Sequence, residues 1–122
     1  MEVKDVGEAL VSLCRDGKNT DAIDTFYSED IESVEPQGGE QMQREMQGIE
    51  AIRQKNAWFF ENNEVHSTSV EGPLVNGDKF TVIYDYELTP KQGPGAGERT
   101  RMREVAVYTV DDGEIVREEF FY

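Results

Sequence analysis

The sequence predicts an α+β domain in which helices pack on one face of a curved, mostly antiparallel sheet. Two observations carry this reading. Apolar residues recur at spacings of three and four through roughly the first sixty positions, then alternate two by two to the end. The alternating runs are broken by Asn76-Gly77 and Asp112-Gly113, both strong signals for two-residue hairpin turns. Helices first and strands afterwards is the order of an α+β fold.

The elements follow in chain order. Val3, Val6, Leu10, Val11, Leu13 and Cys14 form the apolar stripe of a first helix that stops at Gly17. Thr20 and Asp21 are capping residues for a short second helix with Ala22, Ile23, Phe26 and Tyr27 on its inner face. "DIESVEP" reads as an extended piece ended by Pro36, because the residue before proline avoids the helical region. Residues 37–47 are polar and carry no assigned element. "GIEAIRQKNAWFFEN" is a third helix, with Ile49, Ile52, Ala57, Trp58, Phe59 and Phe60 as its apolar positions. The strands are "VHSTSVEGPLV", "DKFTVIYDYELT", "RTRMREVAVYTV" and "EIVREEFFY", with "PKQGPGAGE" as a flexible connection.

At 122 residues the chain fits one domain, residues 1–122, with a real core. The longest apolar runs are a few residues, so no membrane span is expected, and no secretory signal is visible. One cysteine forbids an intrachain disulfide and points to a reducing cytoplasm. Cys14 lies on the helix stripe and reads as a buried thiol. A net charge of −14 repels phosphate backbones and anionic membranes, so nucleic acid is not an expected partner. One histidine, one cysteine and no spaced acidic loop predict no metal. The glycine-rich "GPGAG" lies between strands and lacks the helix N-terminus a phosphate would need, so no cofactor is expected.

In the strand from Phe80 to Leu88 alternation sets Phe80, Val82, Tyr84, Tyr86 and Leu88 inward and leaves Asp85 on a polar face. If Asp112-Gly113 make a two-residue turn, Ala106 opposes Glu119 and Glu104 opposes Phe121. Met102, Glu104, Ala106, Tyr108 and Val110 then share a face with Ile115, Arg117, Glu119 and Phe121. A bulge would slip the register by one and send Glu104 and Glu119 to opposite faces. The other face, with Val105, Val107, Val116, Phe120 and Tyr122, is apolar too, which predicts a second subunit against the sheet.

Three short helices followed by a meander ending in "DDGEIVREEFFY" resemble the NTF2-like superfamily, and within it the SnoaL-like group. The resemblance rests on "AIDTFYSEDIESVEP", "GIEAIRQKNAWFFEN" and "MREVAVYTVDDGEIVREEFFY". It implies a cone-shaped α+β barrel, often dimeric through its sheet, with a pocket between sheet and helices. The ketosteroid isomerases of that superfamily place a general base before a proline, which falls on Glu35 of "SVEP". Their protonated acid on the penultimate strand falls at or beside Glu104. Their first-helix tyrosine falls on Leu10, which cannot donate a hydrogen bond, so Tyr84 or Tyr86 would have to supply one.

Glu35 and Glu104 are therefore the candidate catalytic pair. A buried carboxyl keeps its proton to higher pH, and one carboxylate can move a proton while the other steadies an enolate. The structural alternatives are a turn-capping Glu35 and a Glu104 paired with Arg101, Arg103 or Arg117. Trp58, His66, Tyr84, Tyr86, Tyr108 and Glu119 are the candidate pocket-lining residues, although His66 at a strand start also fits a structural role. Two functions stay open. One is a cofactor-independent acid/base enzyme of isomerase, cyclase, hydrolase or dehydratase type acting on an apolar small molecule. The other is a non-catalytic module that binds such a molecule or pairs through its sheet.

Overall fold

The computed structural model describes residues 1–38 and 43–122. The elements are α1 (Val3–Arg15), α2 (Asn19–Phe26), β1 (Tyr27–Val34), β2 (Glu45–Gln47), α3 (Ile49–Asn62), β3 (Asn63–Asn76), β4 (Lys79–Pro90), β5 (Thr100–Asp111) and β6 (Glu114–Phe121). The strands form one open sheet in the order β2-β1-β6-β5-β4-β3, antiparallel throughout except for the parallel pairing of β1 with β6.

The helical stripe of α1 does what its spacing predicts: Val6, Leu10, Val11 and Cys14 are buried. Asp5 caps the helix by accepting a hydrogen bond from the Glu2 N–H. Gly17, at φ +72°, turns the chain out of α1, while the Lys18 N–H donates back to the Leu13 carbonyl. α2 opens directly at Asn19 after this turn, ahead of the Thr20 and Asp21 caps, and Tyr27 belongs to β1 rather than to the helix. β2 was not legible in the polar segment 37–47, since three residues with one half-buried side chain carry no alternation. Positions 39–42 of that segment lie outside the described residues.

β4 is the backbone of the core. Phe80, Val82, Tyr84, Tyr86 and Leu88 are all buried, and face Tyr108, Ala106, Glu104, Met102 and Thr100 of β5 in turn. Phe80 stacks on Tyr108 at 4.9 Å between ring centroids, and burial of each large side chain contributes about 1.5–3 kcal/mol. β3 breaks register with β4 between Val65 and Ser67 and again between Glu71 and Leu74. Such breaks bend a strand, and here they curl the sheet around α1, whose Gly7 lets the helix approach Pro73 and Phe80.

The last hairpin corrects the expected register. Asp112 (φ +51°) and Gly113 (φ +79°) do form a two-residue turn, and Asp111 faces Glu114. Beyond it Val110 faces Ile115 but Thr109 faces Arg117, so Val116 is an extra residue. From there the alternation of β6 is reversed. Ala106 faces Phe120, and Glu118 rather than Glu119 turns inward.

Candidate active site

A cavity of about 150 Å³ lies between the helices and the sheet. Its walls are aromatic, with Trp58, Phe59, Tyr84, Tyr86, Tyr108 and Phe120 prominent. Three carboxylates and one ammonium reach it: Glu35, Glu104, Glu118 and Lys55.

Each comes from a definable local cause. Glu35 follows the end of β1, where its N–H donates to the Arg44 carbonyl at 2.7 Å and Pro36 ends the strand. Glu104 sits on β5 opposite Tyr84, on the inward face set by alternation. Glu118 is placed by the β6 bulge beside Ser33 of β1 and is 1% exposed. Lys55 lies one turn beyond Ile52 on α3, so it enters along the buried edge of an otherwise exposed helix.

Lys55 is the hub. Its Nζ donates to Glu118 Oε2 at 2.8 Å, Ser33 Oγ at 2.8 Å and Glu35 Oε1 at 3.0 Å. It also lies 4.4 Å from the centre of the Phe120 ring. Glu118 accepts further bonds from Tyr27 Oη at 2.5 Å and Ser33 Oγ at 2.7 Å. Glu35 accepts one from Tyr122 Oη at 2.9 Å on its second oxygen. Burial opposes the Lys55 charge, but the facing carboxylates of Glu118 and Glu35 outweigh it and hold its pKa above the usual lysine value.

Glu104 stands apart from this network. Among the described residues it has no ion-pair partner, and none of the arginines weighed as partners reaches it: Arg103 pairs with Asp85, and Arg117 with Glu32 and Glu119. Burial, and then the charge of Glu35, push its carboxyl up to about 7, with Lys55 opposing and Glu118 adding to the rise. The Tyr84 and Tyr108 hydroxyls share a 2.7 Å hydrogen bond on the same wall, and burial raises both phenols, so they act only as neutral hydrogen-bonding groups. Burial likewise pushes the Cys14 thiol up to about 11. Glu104 is thus a carboxyl poised to change protonation near neutral pH.

Of the residues singled out from sequence, Glu35, Glu104, Trp58, Tyr84, Tyr86 and Tyr108 line the cavity. Leu10 lines it as well, so no tyrosine replaces it on α1, while Tyr84 and Tyr86 supply hydroxyls from β4. His66 and Glu119 are not among its lining residues. His66 is exposed on β3 and bonded to Thr89 Oγ1 at 2.7 Å, and Glu119 is turned out by the bulge to accept from Arg117 Nη1 at 2.8 Å. Sequence reasoning missed Lys55, Glu118 and Tyr122 as polar members of the site. Lys55 left a signal, a lysine three residues after Ile52 and four before Phe59 on the apolar edge of α3. Glu118 left none, because its orientation depends on the bulge.

The open, curled α+β sheet with helices on one face superposes on an NTF2-like protein from Burkholderia thailandensis at a TM-score of 0.80, with 20% identity over 99% of this chain and 90% of that one. The SnoaL-like domain family matches residues 1–122, and the chain belongs to that family. A protein from Mesorhizobium loti assigned as a SnoaL-like polyketide cyclase is 40% identical, with all of both chains covered and a TM-score of 0.92. A Catenulispora acidiphila protein with a ketosteroid isomerase-like fold, solved with trimethylamine, is 21% identical at a TM-score of 0.69, covering 94% of this chain and 82% of its own. No curated protein matches the chain. No described helix is long and apolar enough to cross a membrane.

Proposed function

We propose that this SnoaL-like chain, acting as one cytoplasmic domain, is a cofactor-independent acid/base enzyme for a small apolar molecule. Glu104 carries the proton that is transferred, and Glu35, held by Lys55 and Tyr122, is its charged counterpart across the cavity. The observation that carries this reading is a carboxyl with no ion-pair partner among the described residues, Glu104, opening into an aromatic cavity that Glu35 also lines. A buried acid left uncompensated costs stability unless it stays protonated, and a protonated acid near neutrality is the form useful for general acid/base catalysis. The cavity volume of about 150 Å³ is close to the ~150 Å³ that accommodates a benzene-sized molecule. The part of the ligand that the cavity holds is therefore ring-sized.

The second reading, a non-catalytic binding module, draws on the engagement of Glu35. Both of its oxygens are already hydrogen-bonded, to Lys55 and Tyr122, so it is not a free base. Native mass spectrometry for a co-purified ligand, followed by turnover assays with Glu104→Gln and Glu35→Gln, separates the two. The enzymatic reading expects turnover that falls by about 100-fold or more in Glu104→Gln. Turnover indifferent to that change rejects it, and a ligand bound but never altered favours the module.

We also place a homodimer on the outer sheet face. Val105 and Val107 point away from the buried Ala106 and Tyr108, and Phe121, turned out by the bulge, is 49% exposed beside Val105. Light scattering that shows a monomer at high concentration removes this assembly.

A further inference from the structure

The cavity gathers three carboxyls around a single ammonium, and they are not equivalent. Two of them, Glu35 and Glu118, contact Lys55 Nζ at 3.0 and 2.8 Å. The third, Glu104, has no such contact. Lys55 has a short menu of partners and has used it fully: an ammonium donates three hydrogen bonds, and all three go to Ser33, Glu35 and Glu118. A cation in contact with two carboxylates favours their ionised forms, and two ionised carboxylates near a third disfavour its ionisation.

We propose that Lys55 is the positioning residue of the site: by neutralising Glu35 and Glu118 it makes Glu104 the carboxyl that holds the exchangeable proton. Lys55 acts through other groups and does not itself touch a reacting atom. The inference rests on reading the cavity as a proton-transfer site, but it concerns where one proton resides and can be tested without turnover.

The groups facing Glu104 come from every element around it. Tyr84 and Tyr86 lie on β4, Tyr108 on the same strand as Glu104, and Cys14 on α1. All four are raised by burial and stay neutral near pH 7. Tyr122, following β6, is raised as well, by burial and then by Glu35. Glu35, Glu118 and Lys55 are left as the charged groups that decide the matter. Without Lys55 the three carboxyls would compete for protons as a coupled set, and their titrations would belong to the group rather than to one residue.

The test is a ¹³C NMR titration of the glutamate side-chain carboxyls in wild type, Lys55→Met and Lys55→Arg. Each signal is assigned by its loss in Glu35→Gln, Glu104→Gln or Glu118→Gln. The wild type is expected to show Glu104 alone titrating between about pH 6 and 8. In Lys55→Met a second of the three carboxyls should also take up a proton in that window, and Lys55→Arg should restore the single titration. A lysine that only holds α3 in place would leave the pattern of a folded variant unchanged, and that result overturns the proposal. If Lys55→Met does not fold, Lys55→Met with Glu118→Gln removes the pair together. Glu35 should then titrate in the same window, and a Glu35 signal that stays constant there overturns the proposal. Turnover found with the pattern insensitive to Lys55 would sink this inference and leave the enzymatic reading standing. The expected pattern without turnover of any ligand would do the reverse.

Discussion

Lys55 of α3 and Glu118 of β6, 63 residues apart in the chain, form a buried ion pair at 2.8 Å, with the glutamate 1% exposed. α3 buries only one residue fully, Ile52, so this pair is a principal tie between the helix and the sheet. Removing one partner strands the other charge away from water.

Lys55→Met is expected to lower stability by about 3–5 kcal/mol. Lys55→Met with Glu118→Gln should cost clearly less than the sum of the two single changes, because neither charge is then left alone. Urea denaturation of the four proteins gives the coupling. Strict additivity would show that the pair does not interact in solution.

Glu104 makes stability depend on pH with a sign opposite to that of an ordinary salt-bridged acid. Its carboxyl is raised from 4.5 to about 7 in the folded protein. Between those values the folded state holds a proton that the unfolded state has lost. Stability from this group is therefore present in full below about pH 4.5, falls as pH climbs, and levels above about pH 7. At roughly 1.4 kcal/mol per pH unit the full effect is on the order of 3 kcal/mol. Glu104→Gln removes it, so the variant should gain on the wild type between pH 5 and pH 8 in paired denaturation curves. A constant difference across that range contradicts the assignment.

The bulge at Val116 predicts a contrast between neighbours. Glu119 pairs at the surface with Arg117, so Glu119→Ala should change stability by no more than about 0.5 kcal/mol. Glu118→Ala empties a buried acceptor of three hydrogen bonds and should cost several-fold more. Equal effects, or the reverse order, would restore the unbulged register.

Gly7 sets two effects against each other. Alanine improves helix propensity by up to about 1 kcal/mol. Its Cβ would sit 2.9 Å from Pro73 Cβ and 3.2 Å from the Phe80 ring, and overpacking of this kind costs about 1–3 kcal/mol. Gly7→Ala is expected to lower the thermal midpoint. A higher midpoint would mean that α1 shifts freely on the sheet.

Cys14 is buried beside Tyr84, with a sulfur-to-oxygen distance of 3.8 Å, and its thiol is raised to about 11. Thiolate is the reactive form. An aromatic disulfide reagent should leave the native protein essentially unlabelled over the time in which the denatured chain reacts fully. Rapid native labelling would show that the cavity opens past α1.

Most elements other than β2, and most of their faces, could be read from the chain alone. A stripe at helical spacing buried Val6, Leu10, Val11 and Cys14, and alternation from Phe80 to Leu88 buried all five expected side chains. Both are local periodicities, written in the chain whatever packs against it. Glu104 was legible for the same reason, since β5 keeps its alternation from end to end. The company Glu104 keeps was set by packing across the sheet. One extra residue in β6 reversed its faces, brought in Glu118 and sent out Glu119, because a strand's period of two lets a slip of one invert every side chain beyond it. Lys55 joined from α3 because an ammonium pays for leaving water only where carboxylates already wait, and no local pattern records that meeting.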